Sequence, residues 1–374
     1  MAGIYIHIPF CKKACHYCDF HFSTSLKNKE ALVTALCKEI ELRKDYMGSK
    51  NISTIYFGGG TPSLLSKEEL DKILNTISTH FTVAPDAEVT LEANPDDLTE
   101  EKIAGLKQAG INRLSIGIQS FVDEHLTLMN RSHNAKQAID AVRNAQKAGI
   151  KNISIDLIYG LPNLPIDKWR DNIKQAFELD VPHISAYCLT VEKKTALNHM
   201  VQKKQITLPN DAETAEQFYM LIEESAKHGF THYEISNFGK EGMYSRHNSS
   251  YWKNEPYLGI GPSAHSYNGS SRQWNISNNA LYIKGIEASE TIFEIENLTE
   301  ADKFNEYVMT GLRTIWGINL DYVKTSFGED ILQELLQDSK PYIDSGHMQQ
   351  NRENVTLTQK GKLIADKIAS DLFI

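Results

Sequence analysis

Three cysteines within eight residues, Cys11, Cys15 and Cys18, constrain this chain more than any other feature. They are spaced C-x3-C-x2-C and follow an apolar run, Gly3 to Ile8, that reads as a strand. Pro9 ends that strand, because proline has no amide to donate to a ladder. The thiols therefore fall on a loop at the carboxyl end of a first strand, the edge where α/β proteins build their sites. Iron–sulfur cubanes are held by thiolates, normally four of them. Three on one short loop can hold three corners and leave the fourth iron open to an outside ligand. S-adenosylmethionine (SAM) suits that corner, since its amino and carboxylate groups chelate iron while its sulfonium lies beside the cluster. Structural zinc competes, with His16, Asp19 or His21 as a fourth ligand. Such sites usually pair two C-x2-C or C/H elements, and no second pair occurs in the chain. Five cysteines is an odd number and nothing suggests export, so disulfides are disfavoured.

At 374 residues the chain exceeds one average domain, and one barrel with a smaller appendage is the natural division. A chain of this size buries roughly three-quarters of its unfolded surface and needs no covalent staples. The net charge is −9, with both signs interspersed and no Lys/Arg block, which argues against a nucleic-acid partner. No apolar run approaches the ~20 residues of a membrane span. The N-terminus lacks the basic start and apolar stretch of a signal peptide. The expectation is a soluble, cytoplasmic protein.

Strand-like and helix-like segments alternate, which argues for parallel β/α units. Strands are expected at Ile52 to Phe57, Glu88 to Leu91, Arg113 to Ile118, Ile153 to Ile158 and His183 to Leu189, with a helix from Asn28 to Tyr46 carrying Cys37 as a core thiol. Ser66 and Glu69 form a capping box. Gly110 and Gly149 each stand between a helix and a strand, where a left-handed residue ends the helix, and Gly229 repeats the joint. Six units by residue 190 suggest an incomplete barrel with an open side. Asp211 to Lys227 reads as a helix, and a Gly/Ser/Asn/Tyr-rich loop region follows from Asn237 to Ser277. Thr299 caps a helix through Arg313, and the tail reads helix, helix, hairpin (Met348 to Leu357) and final helix (Gln359 to Leu372), an order similar to a winged helix. The expected division is 1–235, partial barrel; 236–298, loop-rich segment; 299–374, α+β C-terminal domain. Mixed charges on the last helix favour a lid, docking or packing role over DNA reading.

Polar residues stand at the carboxyl ends of the later strands: Glu92, Gln119 and Asp156. An aspartate inside a buried strand costs several kcal/mol unless paired or ligand-bound. Ribose hydroxyls and the SAM ammonium are suitable partners, and Arg131 could bond the SAM carboxylate. Gly58, Gly59 and Gly60, followed by Thr61 and Pro62, end the second strand and let backbone approach a ligand closely. Ser245-Arg-His247-Asn248-Ser-Ser-Tyr251-Trp252 reads as a polar loop, in which a neutral imidazole beside aromatic rings suits a flat macrocycle with iron at its centre.

The spacing C-x3-C-x-Tyr17-C resembles the radical SAM signature. The flanking YIHIPFC and CDF resemble, more narrowly, the family of oxygen-independent coproporphyrinogen oxidases and HemW haem chaperones, from Ile4 to the C-terminus. That resemblance implies an α/β fold with a partial (β/α)6 TIM-like barrel, one [4Fe-4S] cluster on Cys11, Cys15 and Cys18, and SAM contacts at Gly60, Thr61, Tyr5 and Tyr17. It also implies haem binding at His247, since H-N-x-x-Y-W is similar to the motif of the chaperone branch. Two functions follow from it. One is a chaperone passing haem to respiratory haem enzymes; a haem-linked dimer and a peripheral membrane contact are compatible with that role. The other is oxidative decarboxylation of coproporphyrinogen III through a radical released from SAM. The oxidases continue their motif with a fourth cysteine, where this chain has Phe20, and carry a long N-terminal arm, whereas ten residues precede Cys11 here. The chaperone reading is favoured, and whether SAM is cleaved in turnover is left open.

Overall fold

The computed structural model describes residues 2–374. Six strands run parallel in sequence order: β1 (Ala2–Ile8), β2 (Asn51–Gly59), β3 (Thr82–Ala93), β4 (Arg113–Gln119), β5 (Asn152–Tyr159) and β6 (His183–Cys188). Their burial is near-continuous, as over residues 52–58 of β2, which is the pattern of strands covered on both faces. Helices α1 (Lys29–Leu42), α2 (Lys67–His80), α3 (Glu100–Gln108), α4 (Asp123–Leu128), α5 (Ala135–Lys147) and α6 (Ile166–Glu178) make the crossovers. The Ser66–Glu69 capping box is present, and Gly110 and Gly149 adopt φ of +100° and +82° behind α3 and α5. After β6 come α7 (Ala196–Gln202) and α8 (Asp211–Lys227).

Both edges of this array are extended rather than joined. On the β6 side lie β8 (Asn237–Gly239), antiparallel to β6, and β7 (Thr231–Glu234) beyond it. The short helix α9 (Arg246–Trp252) follows. On the β1 side β9 (Tyr257–Ile260) pairs in parallel with β1, and β10 (His265–Tyr267), β11 (Ser271–Asn275) and β12 (Phe293–Asn297) continue as an antiparallel meander. Because β1 and β6 meet other strands and not each other, the barrel stays open on one side.

The segment 236–298, expected to be loop-rich, thus carries short strands that extend the sheet, with α10 (Asn279–Ala288) packed beside α1. Its strands are only three to five residues long, and they turn polar groups inward, so no apolar alternation marks them. The inward groups satisfy one another. Glu39 on α1, fully buried, accepts from Arg43 (2.9 Å), Tyr282 (2.6 Å), Asn275 (2.8 Å) and the Gly261 amide (2.8 Å). Arg43 donates onward to Gln273 (2.6 Å) and Ser266 (3.0 Å). One buried ion pair therefore fastens the added strands to the barrel.

A second core forms in the C-terminal module from Phe304, Val308, Val323, Val355 and Ile368. The module comprises α11 (Glu300–Leu312), β13 (Ile318–Asn319), α12 (Leu320–Phe327), α13 (Glu329–Asp344), β14 (Met348–Gln350), β15 (Asn354–Leu357), α14 (Gln359–Lys362) and α15 (Ala365–Asp371). The last helix is broken where Ile364 leaves helical geometry (φ −125°, ψ 30°). Backbone bonds between Ile235 and Arg313 (3.0 Å) and between Ile315 and Tyr233 (3.0 Å) tie the module to β7. No helix among the described residues is long and apolar enough to cross a membrane.

Replacing one partner of a buried ion pair leaves the other charge uncompensated. Glu39→Ala should lower unfolding free energy by about 3–5 kcal/mol in urea titrations. A loss below 1 kcal/mol would mean that the added strands hold without the pair.

Candidate functional site

The cysteine loop is closed at its root by backbone bonds. Cys11 donates to the Ser23 carbonyl (3.0 Å) and Ser23 donates to Pro9 (2.8 Å), so the ends of the loop are held together. The Ile8 carbonyl accepts from both Phe10 (2.9 Å) and Gly60 (2.9 Å), which joins the loop to the glycine turn after β2. The glycines have a second purpose that spacing did not reveal. A Cβ at Gly60 would lie 2.7 Å from the Phe10 carbonyl oxygen, and one at Gly59 would lie 2.6 Å from the His7 ring. They seat the cysteine loop as well as leaving backbone near a ligand. Asn130 donates to Ala14 (2.8 Å), and His16 donates its amide to Met129 (3.1 Å), which pins the loop to the end of α4.

Cys11, Cys15 and Cys18 are half-buried free thiols. Burial pushes the Cys18 thiol up to about 11, and the neighbouring Cys15 and Cys11 push in the same direction. Burial likewise raises Cys11, with Cys15 adding to it while the Thr61 hydroxyl bonds to the thiol and opposes the rise. Three thiols close enough to disfavour each other's ionisation fit a polynuclear, positively charged group that would take all three as thiolates.

The carboxyl ends of β2 to β5 face this loop. Glu92 accepts from Tyr56 (2.8 Å) and from the Gly59 amide (3.2 Å), and burial with nearby Asp156 pushes its carboxyl up to about 7. Asp156 is pushed up to about 6 by burial, although Ser115 donates to it (3.3 Å). Two carboxyl groups whose pKa values burial raises thus sit together inside one barrel mouth. Arg131 bridges three elements: it donates to Asn94 after β3 (2.7 Å), the Gly117 carbonyl of β4 (2.7 Å), Cys15 (3.3 Å) and Tyr17 (3.4 Å), while its buried Nε has no partner. Gln119, at φ +69°, closes β4 in the left-handed region, a strain worth about 1–3 kcal/mol. Buried Thr61 accepts from Asn94 (3.3 Å). Gly60, Thr61, Glu92, Gln119, Arg131, Asp156 and Tyr17 thus border one end of the barrel, with Tyr5 deeper, its hydroxyl donating to His7 Nδ1 (3.2 Å).

His247 lies elsewhere. It stands on α9, not on a loop, and is 1% exposed. Its ring sits near the start of β1 and β2, where a Cβ at Gly3 would fall 3.2 Å from it. Nδ1 bonds the Thr54 hydroxyl (2.8 Å), and Nε2 bonds the Tyr251 hydroxyl (2.8 Å). Glu88 accepts the His247 amide (3.1 Å), and Tyr56 stacks on the ring at 5.0 Å. Burial holds the imidazole down to about 3, so it is neutral. Tyr5 and Tyr56 separate it from the cysteine end. Thr54, Tyr56, Glu88 and Asn94 were not singled out from sequence; each is a polar residue on or just after an apolar strand, the same signal that marks Asp156.

Comparison with known proteins bears on the fold and the family. The model of the radical SAM superfamily matches residues 5–176, and the model of the HemN C-terminal domain matches 298–364. The fold is that of a radical SAM protein. The chain is 36% identical over 371 residues to the haem chaperone HemW of Bacillus subtilis, covering 98% of each chain. It is 30% identical to HemW of Escherichia coli K12, covering 100% of this chain and 98% of that one. It belongs to the HemW haem chaperone family. A solved structure, coproporphyrinogen III oxidase (HemN) from Escherichia coli, superposes with a TM-score of 0.85 at 22% identity, covering 100% of this chain and 90% of that one, and shares the fold.

Glu92 carries a pH signature. Its folded pKa, about 7, exceeds the ordinary 4.5, so between these values the folded chain binds a proton that the unfolded chain has lost. Stability must therefore fall as pH rises through that window and level off above it. Glu92→Gln should flatten the slope and stabilise the cofactor-free protein at pH 8 by on the order of 1–3 kcal/mol. An unchanged slope in urea unfolding between pH 4.5 and 8 would show that Glu92 is paired at all these values.

Proposed function

We propose that the protein is a cytoplasmic haem carrier that delivers haem to respiratory haem proteins, with a [4Fe-4S] cluster on Cys11, Cys15 and Cys18. SAM is assigned to the same barrel mouth. Gly60 and Thr61 would hold its amino end, Arg131 its carboxylate, and Glu92, Gln119 and Asp156 its ribose and cationic groups. Tyr17 and Tyr5 would contact it as well. Bound together, these cofactors supply one-electron chemistry, while the chain orients them and excludes water.

The observation that carries the haem assignment is the neutral imidazole of His247 within the H-N-x-x-Y-W helix, ringed by Tyr5, Tyr56 and Tyr251. Iron would take Nε2 from the Tyr251 hydroxyl, which requires α9 to draw back from the barrel. Its outer face is held by the C-terminal module: Arg313 lies over the Trp252 ring (5.3 Å), Lys253 over Trp316 (4.8 Å), and Asn254 donates to Thr310 (3.4 Å). The module is accordingly the hinge partner of α9, and haem-linked dimers or contact with a membrane surface belong to the open form.

His247→Ala should weaken haem binding about tenfold or more, the usual cost of a lost metal ligand's neighbourhood, and change the Soret band. A haem titration indistinguishable from that of the unaltered protein would refute ligation at His247.

A further inference from the structure

β3 leads into Asn94-Pro95-Asp96-Asp97, where a short 3-10 turn over Pro95–Asp97 sets two acids side by side. Pro95 fixes φ at the start of the turn, and the Asp97 amide closes it on the Asn94 carbonyl at 3.1 Å. The two side chains are mostly covered, at 12% and 6% exposure, and each carboxylate has both oxygens engaged. Asp96 accepts from Lys12 Nζ (2.8 Å) on one oxygen and from the Ser132 hydroxyl (2.7 Å) on the other. Asp97 pairs with Lys12 through one oxygen and accepts from the Ser63 hydroxyl (2.6 Å) on the other. Burial works to raise the Asp96 carboxyl, but the bonds from Lys12 and Ser132 hold it below the ordinary range, so it is ionised.

The three donors come from three different connections of the barrel. Lys12 follows Cys11 in the cysteine loop, Ser63 lies two residues after Thr61, and Ser132 follows Arg131. Each stands beside a group proposed to hold the cluster or SAM. Asn94, at the head of the same turn, repeats the pattern by bonding Thr61 (3.3 Å) and Arg131 (2.7 Å) directly. Rigidity alone does not account for the arrangement. Lys12 is 41% exposed, and an ion pair with so exposed a partner adds little to stability. What the pair fixes is spacing. Without it the loop keeps its root at Cys11 and Ser23 and its tie to Asn130, but its Lys12 flank is released from the turn after β3.

We propose that Asp96 and Asp97 are positioning residues: through Lys12, Ser63 and Ser132 they hold Cys11, Thr61 and Arg131 in register, so that SAM meets the open corner of the cluster. The proposal rests on the cluster-and-SAM reading and adds to it the groups that set the spacing of that pocket. Neither acid makes or breaks a bond to SAM; both act through their neighbours.

The test uses the full chain in two states. In the oxygen-free, reconstituted protein, Lys12→Met keeps the aliphatic stem and removes the charge. Asp96→Asn combined with Asp97→Asn keeps acceptors for the serines and removes the counter-charges. Each variant should weaken SAM about tenfold by calorimetry, the scale of a lost outer-shell partner, and shrink the change that SAM makes in the spin-resonance spectrum. Iron and sulfide per chain should match the unaltered protein, and Lys12→Arg should restore SAM affinity, because a guanidinium can serve both acids. In the cofactor-free chain, hydrogen exchange at the amides of residues 11–18 should quicken about tenfold in Lys12→Met, with α1 and α2 unchanged. SAM affinity equal to that of the unaltered protein would overturn the positioning role. Loss of iron and sulfide in step with SAM would also overturn it, since the pair would then be a mount for the cluster. If the unaltered protein takes up no cluster, that reading falls, and exchange decides alone: an unchanged rate at residues 11–18 overturns the brace.

Discussion

The Ile8 carbonyl accepts two amides, Phe10 of the cysteine loop and Gly60 of the glycine turn, and the rest of the site is arranged around that junction. It fixes the first two βα connections against each other at the end of the barrel. A side chain at Gly60 would strike the Phe10 backbone, so the junction depends on glycine there. From it, three thiols project toward a barrel mouth lined with acids and one bridging arginine. Loops on rigid parallel strands are the usual means of holding a reactive group in register.

The same economy governs the barrel's lower end. α9 turns His247 inward, where Thr54, Tyr251 and Glu88 satisfy its polar groups, and buried neutral imidazole is stable only with such partners. The C-terminal module grips the other face of this helix through cation–π contacts. His247 and the three thiols therefore lie at opposite ends of one barrel, with Tyr5 and Tyr56 between them.

Much of the barrel and its upper site was legible in the sequence because local chemistry dictates both. C-x3-C-x2-C after a proline-terminated strand, the capping box at Ser66 and the joints at Gly110 and Gly149 each report on a few neighbouring residues. What escaped was set by distant partners. β9 is four residues long and owes its place to β1, more than two hundred residues earlier. The strands beyond it bury polar groups that only Glu39 and Arg43 make tolerable. His247 reads as part of a solvated loop because its neighbours are serine, asparagine and arginine, whereas three residues on other strands and on its own helix make it a core side chain.

Everything in this account descends from the three thiols acting as corners of an iron–sulfur cube. The direct measurement is iron and acid-labile sulfide per chain after oxygen-free reconstitution, with the spin-resonance spectrum of the reduced protein recorded before and after SAM is added. The account requires about four of each per chain and a spectrum that SAM perturbs. One zinc per chain without sulfide, or a cluster spectrum indifferent to SAM, would contradict it.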